Sequence, residues 1–297
     1  MNSLDLINKL YKPYRITKVS SATIIDSTEG KFVIKPKGDN DLKELFLYLK
    51  SRGFEAVPKL VDDSRSDVNI FEYIESANYP NEQKGMDLIN LVAHLHKSTS
   101  FNKEVREDKF KTIYEDIKNN LIYYKNEYEH MISSIEEEIF MSPSSYLFIR
   151  NSSKLLAEIK FCETKLDDWY ETVKNKRESR VCLIHNDLSL NHYLNGESEA
   201  LISWEKAKMD SPILDIYKLY LKEWNTLEFS SILKNYLKKN PLDKEELDLL
   251  LIMLCMPREI NSSKNELKSC EIIGNSIDYV IKTEELVRPY YTDDDKV

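Results

Sequence analysis

Val181-Cys182-Leu183-Ile184-His185-Asn186-Asp187-Leu188-Ser189-Leu190-Asn191-His192-Tyr193-Leu194-Asn195-Gly196 is the stretch on which the reading of this chain turns. Val181–Ile184 is a short apolar run with strand character, and the polar segment from His185 to His192 interrupts it. Tyr193-Leu194 resumes the apolar pattern. Asn195-Gly196 is a two-residue hairpin signal, leading into a second strand, Ala200-Leu201-Ile202-Ser203-Trp204-Glu205. On an extended strand, Glu205 and Ser203 face the same side. Ser211-Pro212 then opens a helix that carries Asp215 in its first turns. The order is strand, polar loop with a His and an Asp, hairpin, strand with polar residues at its end, helix with an early acid.

That order, with His185-x-Asp187, then Trp204, Glu205, Ala207, Pro212 and Asp215, resembles the aminoglycoside phosphotransferase and choline kinase superfamily, including its spore-coat kinase-like branch. The resemblance implies an α+β, protein-kinase-like, two-lobed fold: a five-stranded antiparallel N-lobe sheet with one helix, and a mainly helical C-lobe. It implies that Asp187 orients an acceptor hydroxyl and takes its proton, that His185 buttresses the loop, and that Asp215 ties the loop's backbone down. ATP and Mg2+ are the cofactors it implies for an active enzyme. Two positions depart from the family pattern, and both are metal ligands. Position 192 is His where the family has Asn, with Asn191 one place early, and position 203 is Ser where it has Asp. Asn191, His192, Ser203 and Glu205 are therefore the candidate metal residues, with Asp210 a less constrained one. Mg2+ prefers hard oxygen ligands, so a hydroxyl and an imidazole are a weak substitute.

Upstream, Tyr14–Val19, Ala22–Asp26 and Lys31–Lys35 read as three antiparallel strands, with a turn at Ser27–Gly30. The third ends in Phe32-Val33-Ile34-Lys35, where the resemblance places the phosphate-binding lysine. The turn at Ser20-Ser21 lacks glycine, so its backbone approaches a phosphate less easily than a glycine-rich loop would. Asp39–Ser51 has a helical stripe of Leu42, Leu45, Phe46 and Leu49, capped by Gly53. The acid expected beside Lys35 is Glu44, with Asp41 the alternative. Val57–Val61 and Val68–Ile74 complete five strands, and the backbone of Glu72, Tyr73 and Ile74 is the expected adenine hinge. The N-lobe is expected over 1–76 and the C-lobe over 77–297.

The rest is helical in period. Leu4–Leu10 reads as a short leading helix, and a stripe of Leu88, Leu91, Val92 and Leu95 carries His96 as a packed structural histidine. Two long helices around a break at Ser142–Ser145 form a helical insertion over about 101–175, where the family carries acceptor specificity. Four apolar-striped helices follow the core, and the end of the chain is acidic.

The chain has 297 residues and a net charge of −9, which disfavours a nucleic-acid or anionic-membrane partner and hints at a cationic small-molecule acceptor. No apolar run is long enough to span a bilayer. The start has no signal-peptide layout, and the four cysteines are widely spaced, which together indicate free thiols in the cytoplasm. The expected function is ATP-dependent phosphoryl transfer to a small-molecule hydroxyl, impaired or atypical because of His192 and Ser203. The alternative is an inactive pseudokinase serving as a binding or structural, coat-like protein with a protein partner.

Overall fold

A computed structural model describes residues 12–19, 21–38, 40–62, 67–196, 198–261 and 263–292. Ser20, the leading helix expected at Leu4–Leu10 and the acidic end lie outside the described residues. The described chain divides into two compact units. The first comprises Met1–Phe101, Val181–Leu219 and Lys238–Asn240; the second comprises Asn102–Arg180, Tyr220–Leu237 and Pro241–Val297. The loop-and-hairpin segment after Val181 falls in the same compact unit as the five-stranded sheet. The physical reason is a set of bonds from the helix at Asn81–Thr99 to that segment, described below.

In the first unit, β1 (Pro13–Val19), β2 (Ala22–Ser27), β3 (Gly30–Pro36), β4 (Leu60–Asp62) and β5 (Val68–Glu72) form one antiparallel sheet in the order β1-β2-β3-β5-β4. Alternation places Ile25, Ile34 and Ile70 on one face as a buried cluster, with Phe32 and Val68 packed against it. The helix α1 (Leu42–Ser51) starts at Asp41, whose carboxylate accepts the N–H groups of Lys43 at 3.0 Å and Glu44 at 3.2 Å. It ends at Gly53, with φ 76°. Helix α2 (Asn81–Thr99) buries Leu88, Leu91, Val92, Leu95 and His96 on one stripe. The strand β6 (Phe101–Glu104), absent from the sequence reading, follows it.

The long insertion is α3 (Lys109–Glu136) and α4 (Pro143–Val173), the latter capped by Ser142, which accepts the Ser145 N–H, and begun by a proline. After β7 (Glu178–Ile184) come β8 (Tyr193–Asn195) and β9 (Glu199–Leu201), paired as a hairpin. The loop between them is the three residues 196–198, because Asn195 pairs with Glu199, so the two-residue turn expected at Asn195-Gly196 is not formed. The strand expected to run to Glu205 ends at Leu201: Ser203 is left-handed and Trp204–Lys206 is a 3-10 turn. β10 (Lys208–Asp210) then pairs antiparallel with β7, Ile184 opposite Lys208. Helices α5 (Ile213–Glu223), α6 (Phe229–Lys239), α7 (Lys244–Leu254) and α8 (Glu266–Thr292) complete the chain.

Within the second unit, buried tyrosines and a tryptophan tie helices to carbonyls elsewhere: Tyr128 Oη to Arg258 O, Tyr279 Oη to Leu254 O, and Trp169 Nε1 to Glu245 O. All four cysteines are free thiols. Among the described residues no helix is long and apolar enough to cross a membrane.

Candidate active site

The polar loop after β7 is held by one fully buried carboxylate. Asp215, in the first turn of α5, accepts the N–H of His185 at 2.7 Å and of Asn186 at 2.6 Å, and bonds His96 Nε2 of α2 at 3.1 Å. Burial pushes the Asp215 carboxyl up, yet the His96 hydrogen bond and charge, with His185, leave it below the usual carboxylate value. Thr99, one turn beyond His96, accepts the Leu183 N–H at 3.1 Å. These bonds make α2 and the loop one piece.

His185 is buried; its Nε2 donates to Ile202 O at 2.8 Å, and Nδ1 has no hydrogen-bond partner among the described residues. Burial holds its ring below the ordinary imidazole value, so it is neutral at pH 7. It lies edge-on to Trp204, centroids 5.0 Å apart. Asn186 takes φ 65°, a left-handed conformation that asparagine adopts more readily than most residues. Asp187 is partly exposed, and its Oδ2 bonds Lys206 Nζ at 2.9 Å.

Lys35, near the end of β3, donates to Ser203 Oγ at 2.7 Å and pairs with Glu205 Oε1 at 3.2 Å. The carboxylate beside Lys35 is therefore Glu205, in place of the expected Glu44. Glu44 is exposed on the first turn of α1, and Asp41 is used as that helix's cap. Glu205 reaches the lysine from a 3-10 turn rather than from the extended strand that sequence suggested.

A cavity of about 350 Å3 runs beside this pair. Sheet residues Val19, Ala22, Ile24 and Val33 line it, with Leu194 and Ile202 from the hairpin side, the segment Glu72–Ile74 along it, and Lys35, Ser203 and Glu205 also in the wall. Its size and mostly apolar lining suit a small planar ligand, with the charged groups fixing one end of a longer one. Of the expected hinge, the N–H groups of Glu72 and Tyr73 are already bonded, to Lys59 O and Lys31 O, each at 3.0 Å. The Ile74 N–H bonds no other described residue. Ser21 is exposed beside β2 and is not part of this lining.

The expected metal residues do not assemble a Mg2+ site. Asn191 is exposed on the 3-10 turn Leu190–His192. His192 spends Nδ1 on the Asp187 carbonyl, at 2.6 Å. Ser203 and Glu205 both face one ammonium group, and Asp210 pairs with Lys208 within β10. Among the described residues no three His, Cys, Asp or Glu side chains converge as a metal set. A hydroxyl and carboxylates already occupied by lysines are a poor donor set for a hard divalent ion.

Several residues had no signal in the sequence pattern. Asn40 Nδ2 donates to the carbonyls of Trp204 at 3.3 Å, Glu205 at 3.0 Å and Ala207 at 2.9 Å, clamping the turn that carries Glu205. The sequence pattern over Asp39–Ser51 reads as helix and gives Asn40 no special role, whereas the helix itself begins at Leu42. Lys206 and Lys218 are not singled out by the sequence; Lys206 sits on Asp187, and Lys218 bonds the side-chain oxygen of Asn186 and its carbonyl, the latter at 3.2 Å.

No protein-family model matches the sequence, and no curated protein matches it. Solved structures do. An aminoglycoside phosphotransferase from Alicyclobacillus acidocaldarius is similar with a TM-score of 0.69 at 12% identity, over 96% of this chain and 93% of that one. An AMP-bound spectinomycin phosphotransferase is similar with a TM-score of 0.54 at 12% identity, over 97% of this chain and 93% of that one. The five-stranded antiparallel sheet, the helical remainder and these likenesses agree: the chain has the protein-kinase-like fold of the aminoglycoside phosphotransferases.

Proposed function

We propose that this chain is a kinase-like phosphotransferase that takes ATP in the cavity beside β3 and acts on a small-molecule hydroxyl, with transfer impaired by the loss of the metal carboxylate at Ser203. One observation carries the reading: the charged Lys35–Ser203–Glu205 group sits in the wall of a mostly apolar cavity flanked by the Glu72–Ile74 backbone. Adenine occupies the apolar part, with the Ile74 N–H as its backbone donor, and Lys35 binds phosphate oxygens. The AMP held by the spectinomycin phosphotransferase supports a nucleotide as the ligand. Asp187 takes the acceptor proton as the acceptor oxygen bonds to the γ-phosphorus and the bond from that phosphorus to ADP breaks. The net charge of −9 favours a cationic acceptor.

A second reading, a nucleotide-binding protein without transfer, is favoured by the neutral Ser203 and by the lysine already seated on Asp187. Calorimetric titration of ATP, with ADP release measured over a panel of hydroxyl-bearing amines, separates the two. Both readings require that Lys35→Ala weaken ATP at least about tenfold, the effect of losing one charge-assisted contact worth about 1.4 kcal/mol. Acceptor-dependent ADP release supports transfer. Tight ATP binding with no release supports the second reading, and no ATP binding removes both.

A further inference from the structure

We infer that this site takes its nucleotide as the uncomplexed anion, without a divalent cation, and that Lys206 is the residue that meets the terminal phosphate. The inference rests on the nucleotide reading above. Glu205, in the cavity wall, holds Lys35 at 3.2 Å, and Lys206, the next residue along the same turn, is held by Asp187 at 2.9 Å, so each carboxylate already has an ammonium group. The oxygen at 203 is a neutral hydroxyl that accepts from Lys35 at 2.7 Å. To seat a divalent ion, both lysines must be displaced from their carboxylates and the ion must accept a hydroxyl where it needs an anion. A polyphosphate requires only that the two ammonium groups turn from carboxylate to phosphate oxygen, which exchanges one charge-assisted hydrogen bond for another.

The turn carrying Lys206 is fixed while its ammonium group is free to move. Asn186 Nδ2 donates to the Lys206 carbonyl at 2.9 Å, and Asn40 holds the carbonyls on either side, Glu205 O at 3.0 Å and Ala207 O at 2.9 Å. The Lys206 side chain is 65% exposed, and an ion pair in that setting is weak, so its transfer to a phosphate costs little. Lys218, bonded to the Asn186 carbonyl at 3.2 Å, adds a third positive charge behind the loop.

The test is titration of ATP and AMP in EDTA, then in Mg2+, onto wild type, Lys206→Met and Lys206→Arg. The expected result is ATP binding in EDTA that Mg2+ does not tighten. Lys206→Met should lose about tenfold in ATP affinity with AMP unchanged, and Lys206→Arg should restore most of it. Unchanged AMP affinity also reports that the variant is folded. ATP binding that appears only with Mg2+, or a Lys206→Met variant that loses ATP and AMP equally or neither, overturns the inference and leaves the nucleotide reading standing. If wild type binds neither nucleotide under any condition, that reading fails and the inference fails with it.

Discussion

Ser203 shows how much a single position decides. It holds φ 72° and ψ 53°, a left-handed conformation that costs an ordinary residue about 1 kcal/mol and that Asn and Asp adopt more readily. The backbone is thus shaped for a short carboxylate or amide, while the side chain present offers only a hydroxyl to Lys35. Ser203→Asp is expected to fold at least as stably and to place a second carboxylate beside Lys35 and Glu205. Its ATP affinity should then rise about tenfold or more on adding Mg2+, whereas wild type should not respond; equal Mg2+ responses in the two proteins would count against this account of the site. Lys35 was legible as a strand-ending lysine in register with the later loop. Its partner was not, because Glu205 is 170 residues away and reaches the lysine from an irregular turn that no periodicity marks.

At the scale of elements, the five strands of the first sheet, α1, the long insertion and the helices after the core follow from hydrophobic period and from breaks at Gly53, Pro143 and Pro212. The irregular connections do not. Asn195-Gly196 has the sequence of a tight turn, yet Gly196 does not take a positive φ. It is small because the Glu75 carbonyl oxygen packs where its side chain would be: an added Cβ would lie 2.1 Å from that oxygen. Ala77 N–H to Asn195 O, at 2.9 Å, fastens the same segment. The hairpin tip therefore braces the stretch just beyond the Glu72–Ile74 hinge. Gly196→Ala should cost about 1–3 kcal/mol, the usual penalty of forced overpacking, and weaken nucleotide binding in parallel. Thermal unfolding and ATP titration of that variant check both effects; an unchanged midpoint would show that the contact is not a constraint.

Across the whole molecule, the resemblance read from 181–220 extended to the fold, but the boundary between compact units did not follow from composition. His96, Thr99 and Asp215 join α2 to the loop through buried hydrogen bonds, and buried polar pairing leaves no periodic trace. That network makes stability sensitive to acid. The His185 ring lies below its ordinary value of 6.5 through burial, so as pH falls through 6.5 the unfolded chain takes up a proton that the folded chain refuses. Asp215, below its ordinary 3.8, adds a second loss at lower pH, when the unfolded carboxyl is protonated before the folded one. These contributions are fully present at pH 7 and decline on acidification, at up to about 1.4 kcal/mol per pH unit for one proton. Urea midpoints at pH 7.5, 6 and 5 should fall in wild type and fall less steeply in His185→Gln. Identical slopes would remove His185 as the cause.

The most direct test of the central claim, a nucleotide cavity with Lys35 in its wall in a kinase-like fold, is calorimetric titration of ATP onto the wild-type chain in EDTA and again in Mg2+. The account predicts saturable, one-to-one binding in EDTA that Mg2+ fails to strengthen. Binding that depends strictly on Mg2+ would contradict the metal-free site, and no binding in either buffer would contradict the nucleotide cavity itself.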